Sequence, residues 1–104
     1  MSDSRKHDRV PCRLECTCES DNIAVYGRLG NLSEGGLFIR TITPLERGAV
    51  ARLRFGTEEG IEARATVRWA RADGQGGPPG MGLSFEGMDD AARAAIRSLI
   101  EVQA

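Results

Sequence analysis

A chain of 104 residues is long enough to bury one hydrophobic core and too short for two, so we expect a single domain. The 40% hydrophobic and 28% charged residues are ordinary for a folded domain and exclude a wholly disordered or fibrous chain. A formal net charge of −1 gives no general attraction to nucleic acid. A local anion site remains open, because basic side chains cluster near the N-terminus: Arg5, Lys6, Arg9 and Arg13.

The N-terminal residues are polar and lack the apolar stretch of a signal peptide, and no apolar run is long enough to span a bilayer. Cys12, Cys16 and Cys18 are an odd number of cysteines in one short segment, which makes a poor disulfide framework. We therefore expect a cytoplasmic protein without a membrane span. Residues 1–9 should form a flexible basic arm, and residues 10–104 the folded domain.

Six segments alternate apolar and polar residues with a period of two, as strands do when they bury one face. Short strands separated by turns rich in Gly, Pro, Asn and Asp are typical of an antiparallel meander or barrel. We expect the aromatic side chains Phe38, Phe55, Trp69 and Phe85 to lie mostly in the core. The inward-facing sets are Val10, Cys12, Leu14, Cys16 and Cys18; Ile23, Val25 and Leu29; Leu37 and Ile39; Ala51, Leu53 and Phe55; Ile61, Ala63, Ala65, Val67 and Trp69; and Met81, Leu83 and Phe85.

A change of period near the C-terminus predicts one helix at about residues 89–102. Asp89 or Asp90 can cap its first turn. Its apolar stripe consists of Ala92, Ala95, Ile96, Leu99 and Ile100. Because a lone amphipathic helix needs a surface to cover, we expect it to pack on the strands. The predicted fold is mainly β, a six-stranded antiparallel barrel with one C-terminal helix.

The sequence offers little for catalysis. The sole histidine, His7, lies in the polar arm, and there is no nucleophile elbow, HExxH pair or Walker-type loop. Zinc binding by His7 and the cysteines is an alternative. The cysteines, however, occupy the inward face of a strand, where a thiol behaves as a small hydrophobe. We expect neither an enzyme nor a metal site.

Two segments have the chemistry of a nucleotide site. In the arm, Arg5 and Arg9 stand four residues apart, and a guanidinium group matches both a phosphate and the O6/N7 edge of guanine. Between the second and third predicted strands, residues 31–36 (NLSEGG) offer an amide, a hydroxyl and two glycines that admit close backbone approach. Taken separately, the first segment is more often a solvated arm and the second a tight turn.

Together, Arg5-x-x-x-Arg9 and Asn31-x-Ser33-x-x-Gly36 resemble the paired signature of the PilZ domain family, and the order of arm, strands and final helix agrees. The resemblance implies a six-stranded barrel that binds cyclic di-GMP without catalysis and without a further cofactor. It implies that the arginines hold phosphate and guanine, that the amide and hydroxyl meet the other side of the ligand, and that the glycine leaves room for it. The implied binding residues are Arg5, Arg9, Asn31, Ser33 and Gly36, with Lys6, Arg13 and Gly35 secondary.

The resemblance also implies a signalling mechanism. The ligand would order the arm across the barrel and change the surface offered to an effector protein, in motility or exopolysaccharide control. Ser4, which precedes the arm motif, is too small to stack on a second ligand and favours one ligand per domain. The alternatives are a PilZ-like adaptor that does not bind nucleotide and a small barrel that binds single-stranded RNA or DNA. The aromatic content of 5% disfavours the last, because these rings are expected in the core.

Overall fold

A computed structural model describes residues 10–11, 14–56 and 60–103. Within these ranges the chain forms seven strands and one helix: β1 (Val10–Pro11), β2 (Glu15–Ser20), β3 (Ile23–Leu32), β4 (Gly36–Arg40), β5 (Val50–Phe55), β6 (Ile61–Arg71), β7 (Gly80–Glu86) and α1 (Asp90–Gln103).

The strands form an antiparallel barrel in the order β3-β2-β5-β6-β7-β4, which closes because β4 also pairs with β3. In the described part of the chain this is the six-stranded, mainly β barrel that the alternating pattern predicts. The short β1 adds to the C-terminal end of β3. The first predicted strand is therefore divided into β1 and β2. Val10 of β1 pairs with Leu32 at the end of β3, whereas Glu15 of β2 pairs with Arg28, nearer the middle of β3.

The barrel interior holds most of the side chains that the pattern places inside. Cys18, Leu53, Ala65 and Met81 are fully buried. Ile23 is an exception, since it is 57% exposed at the start of β3, directly after the turn of the β2–β3 hairpin.

Helix α1 packs against the barrel as expected. The Asp89 carboxylate accepts a hydrogen bond from the Ala92 N–H at 2.8 Å, so Asp89 is the N-cap. Ile96 and Leu99 are buried in the core, and the helix contacts β1 and β6. No helix in the described ranges is both long enough and apolar enough to cross a membrane.

Two register shifts change which side chains face outward. One lies in β3 between Leu29 and Asn31, and the other in β6 between Val67 and Trp69. One extra residue in a strand moves every later side chain to the opposite face. The prediction that Trp69 points into the core is therefore wrong, because its ring is 42% exposed on the outside of the barrel.

Phe38 also lies on the outer side. Its neighbours Leu37 and Ile39 both belong to the core cluster, so the side chain between them points outward. Phe38 is buried because Trp69 stacks on it, not because it enters the barrel.

Candidate functional site

The turn between β3 and β4 is organised by Ser33, which is 3% exposed. Its N–H and its hydroxyl both donate hydrogen bonds to the Gly36 carbonyl oxygen, at 2.9 and 3.2 Å. The same hydroxyl accepts from the Gly35 N–H at 3.3 Å. Since these bonds lie within the turn, the Ser33 side chain fixes the shape of residues 33–36.

Gly36 begins β4 opposite Ser84 of β7. A Cβ at this position would overlap the Leu83 carbonyl oxygen, and the neighbouring Phe85 N–H donates to the Gly35 carbonyl oxygen at 3.0 Å. The absence of a side chain at Gly36 is therefore required by the β4–β7 contact. Its predicted role in leaving room for a ligand remains a prediction.

Asn31 lies one residue before the end of β3, half-buried, between β1 and β4. It pairs with Pro11 on one side and with Phe38 on the other. Val10 pairs with Leu32, so the chain enters the barrel directly beside the turn. The structure therefore brings Asn31, Ser33, Gly35 and Gly36 together next to the start of β1. The arm residues Arg5, Lys6 and Arg9, together with Arg13, lie outside the described residues.

An aromatic stack continues from Asn31 around the outside of the barrel. Phe38 pairs with Gly82 of β7, which in turn pairs with Trp69 of β6. The two rings are nearly parallel, at 16°, with centroids 5.2 Å apart. The Arg71 guanidinium carbon lies 5.1 Å from the centroid of the Trp69 ring, at cation–π distance. An amide, a stacked aromatic pair and an arginine thus share one outer surface.

Two glycines in β7 are a sequence signal for this aromatic stack that the apolar–polar alternation alone does not reveal. Gly80 and Gly82 occupy the outward positions of β7, where they alternate with the buried Met81 and Leu83. A Cβ at Gly82 would overlap the indole, and one at Gly80 would overlap the Ile39 carbonyl oxygen and the Phe38 ring. Alternate glycines on the outer side of a strand leave a bare strip that rings from neighbouring strands can cover.

Glu34, in the same turn, faces helix α1. Its Oε1 lies 3.3 Å from the Arg97 Nη2. Beside this ion pair is a cavity of about 210 Å³, lined by Glu34, Gly35, Phe85, Gly87, Met88 and Arg93. Neither Glu34 nor Arg97 is among the binding residues that the sequence predicts.

Cys16 and Cys18 are buried in the core and form no disulfide. Burial, with a smaller contribution from Cys18, raises the pKa of the Cys16 thiol to about 12. Burial, with a smaller contribution from Glu19, raises the pKa of the Cys18 thiol to about 11. Both thiols are protonated at neutral pH and are poor nucleophiles.

Among the described residues there is no group of three or more His, Cys, Asp or Glu side chains that could hold a metal ion. His7 and Cys12, which entered the zinc alternative, lie outside the described residues.

Comparison with known proteins supports one family. A family model described as PilZ domain matches residues 3–102. The PilZ domain with c-di-GMP of YcgR from Escherichia coli has the same fold, with a TM-score of 0.79 and 17% identity over 97% of this chain and 92% of that chain. The PilZ domain of CeSA from a cellulose synthesizing bacterium gives a TM-score of 0.71 and 16% identity over 93% and 99%.

A third structure is the Bacillus subtilis inhibitor of motility, MotI/DgrA, with a TM-score of 0.70 and 22% identity. The match covers 98% of this chain and 52% of that one, so this chain spans about half the length of that protein. No curated protein sequence matches significantly.

Proposed function

Because this chain belongs to the PilZ domain family, we propose that it is a non-catalytic receptor for cyclic di-GMP. Similar solved structures include the PilZ domain of YcgR with c-di-GMP and YcgR in complex with the same ligand. The proposed binding residues are Arg5, Arg9, Asn31, Ser33 and Gly36, with secondary contacts from Lys6, Arg13 and Gly35.

The observation that carries the proposal is the pairing of β1 with the end of β3. Arg9 directly precedes Val10, and Val10 pairs with Leu32, the residue before Ser33. An arm that leaves the barrel at this point starts beside the turn. Cyclic di-GMP carries two phosphates and two guanines, and arginine forks bind both groups bidentately. Arg5 and Arg9 would close over a ligand whose other side meets Asn31.

The aromatic stack suits a guanine ligand. In the strand order, Phe38 is one strand away from Asn31 and Trp69 is three strands away. Neighbouring strands lie about 4.8 Å apart. A guanine base beside Asn31 would reach the Phe38–Trp69 stack, and an aromatic ring or a guanidinium plane stacks well on a nucleobase. We include Trp69 in the proposed ligand surface on this geometry.

Ligand binding would change the protein surface that is available to an effector protein. Tying down the arm covers the turn and the start of β1, and an effector protein would distinguish the covered from the uncovered form. Motility or exopolysaccharide control fits the similar structures, which include an inhibitor of motility and a PilZ domain from a cellulose synthesizing bacterium. The buried free thiols Cys16 and Cys18 suit a reducing compartment, which favours the cytoplasm.

Isothermal titration calorimetry with cyclic di-GMP, GMP and a single-stranded oligonucleotide tests the proposal. We expect saturable heat from cyclic di-GMP only, with one ligand per domain. Replacing Arg9 with alanine should cost about 1–3 kcal/mol of binding free energy, as for one bidentate contact, and leave the unfolding temperature unchanged. Arg64→Ala is the matched control, because Arg64 also begins an R-x-x-x-R pattern but lies on β6 opposite Glu86.

Each other outcome would assign a different function to this chain. No heat from cyclic di-GMP would leave the PilZ-like adaptor that does not bind nucleotide. Binding of the oligonucleotide in its place would indicate a single-stranded nucleic-acid barrel, using the exposed Trp69. Unfolding of the Arg9→Ala variant would make Arg9 a structural residue and remove it from the site.

A further inference from the structure

Two rows of outward side chains cross the barrel, each centred on two arginines that face each other on adjacent strands. In the first, Arg52 of β5 pairs with Arg64 of β6, and the row is completed at both ends by carboxylates, Glu19 and Glu86. In the second, Arg28 of β3 pairs with Arg40 of β4, and the row reads Glu15, Arg28, Arg40, Gly80, Arg71. The first row is neutral, whereas the second carries three arginines and one glutamate.

Like charges directly opposite each other destabilise a sheet unless another group offsets them. For Arg52 and Arg64, a carboxylate faces each arginine from its other side. Arg28 has Glu15 on its other side, but Arg40 faces Gly80. Within the described ranges none of these four arginines makes an ion pair, so the two pairs differ only in the residues that face them. The Arg28–Arg40 pair is the less compensated of the two.

Exposed apolar side chains lie next to the same pair. Tyr26 precedes Arg28 by two residues and Ile42 follows Arg40 by two, so both lie toward the same end of the antiparallel strands. Each is 74% exposed. Tyr26 and Arg28 also line a shallow surface cavity of about 460 Å³. Tyrosine and arginine together on an exposed surface are typical of the residues that contribute most to protein–protein binding.

We propose that Tyr26, Arg28, Arg40 and Ile42, here called the Arg28–Arg40 face, dock an acidic segment of a partner protein. Carboxylates of the segment would supply the countercharge that Arg40 lacks, and arginine binds carboxylate bidentately. Apolar side chains of the segment would cover Tyr26 and Ile42. A protein segment fits better than a nucleic acid, because apolar side chains of a protein can cover the exposed Ile42, whereas a nucleic acid presents charged phosphates and polar base edges.

The proposal goes beyond cyclic di-GMP binding and does not depend on it. The face contains none of the residues proposed for the ligand, although its row lies next to the one that joins Asn31, Phe38 and Trp69 and ends at Arg71, which contacts Trp69. The two functions can therefore be measured on the same variants.

The test is fluorescence anisotropy in low-salt buffer, with labelled decaglutamate as the acidic probe and labelled decathymidylate as the phosphate probe. The variant Arg28→Gln/Arg40→Gln is compared with Arg52→Gln/Arg64→Gln, which removes the same charge from the compensated arginine pair. We expect decaglutamate to bind the wild type. The first variant should weaken this binding about tenfold, and the second less than about twofold. Removing the Arg28–Arg40 repulsion should leave the unfolding temperature equal or higher.

Equal weakening by both variants would show a general charge effect and overturn the proposal, as would no decaglutamate binding by the wild type. Tighter binding of decathymidylate than of decaglutamate, lost in the first variant, would assign the face to nucleic acid instead. Loss of cyclic di-GMP binding in the first variant, without loss of decaglutamate binding, would assign it to the ligand site. Absence of cyclic di-GMP binding in the wild type would contradict only the proposed function.

Discussion

The Arg97 side chain on helix α1 pairs with Glu34 in the turn between β3 and β4, with 3.3 Å between Nη2 and Oε1. Glu34 lies within the segment proposed to meet a ligand that carries two phosphates. Its carboxylate would repel that ligand, and the Arg97 guanidinium offsets the charge. Because Ile96 and Leu99 fix the helix to the core, the pair also ties the turn to α1.

Arg97→Ala should therefore weaken cyclic di-GMP binding. Both side chains are partly exposed, so we expect an effect of about 0.5–1 kcal/mol. Calorimetry on Arg97→Ala, Glu34→Gln and the double variant gives the coupling between the two residues. If the change in binding free energy of the double variant equals the sum of the two single changes, the pair does not act as a unit. Arg64→Ala, on β6 opposite Glu86, should change nothing.

Trp69 should report ligand binding directly. It is the sole tryptophan of the chain, so its fluorescence comes from one known position on the proposed ligand surface. We expect cyclic di-GMP to change the emission with the same saturation curve as the calorimetric heat. Trp69→Ala should weaken binding by about 1–3 kcal/mol, the usual contribution of one stacked base, and Trp69→Phe by less. Unchanged emission at full saturation would place the ligand away from this ring.

Gly36→Ala should lower the free energy of unfolding, whether or not a ligand is present. The added methyl group meets the backbone of Leu83, which cannot move without separating β4 from β7, so we expect a loss of about 3 kcal/mol or more. Gly30→Ala is the matched control, because its Cβ would meet the Phe38 ring, a side chain that can shift. The control should lose about 1 kcal/mol. Chemical denaturation measures both, and a folded Gly36→Ala variant of wild-type stability would contradict the packing argument.

The buried thiols predict a loss of stability at high pH. The pKa values of Cys16 and Cys18 are raised from 9.0 to about 12 and about 11, so above pH 9 the unfolded chain loses these protons more readily than the folded chain. The free energy of unfolding should then fall as pH rises from about 9 to 11, by up to ~1.4 kcal/mol per pH unit for each thiol. Denaturation curves of the wild type and of Cys16→Ala/Cys18→Ala at several pH values isolate this contribution. Parallel pH profiles for the two proteins would contradict it.

Much of the fold could be predicted from the sequence because the relevant signals are local. Alternation of apolar and polar residues predicts the strands and most of the core, including Leu53, Ala65 and Met81. The change to a helical period and the acidic cap predict α1, and Asp89 caps it. The two motif segments identify the family, since Asn31-x-Ser33-x-x-Gly36 occurs at the right distance from the arm.

The tertiary structure decided what local patterns cannot contain. An extra residue near Val67 places Trp69 outside the barrel, because the register depends on hydrogen bonds to β7 and not on the hydrophobicity of β6. Gly36 is required by the backbone of β7, and Arg97 meets Glu34 across 63 residues of sequence. Hydrophobic alternation fixes which face of a short strand is buried. Only the pairing between distant strands determines which side chains share the outer surface, where binding takes place.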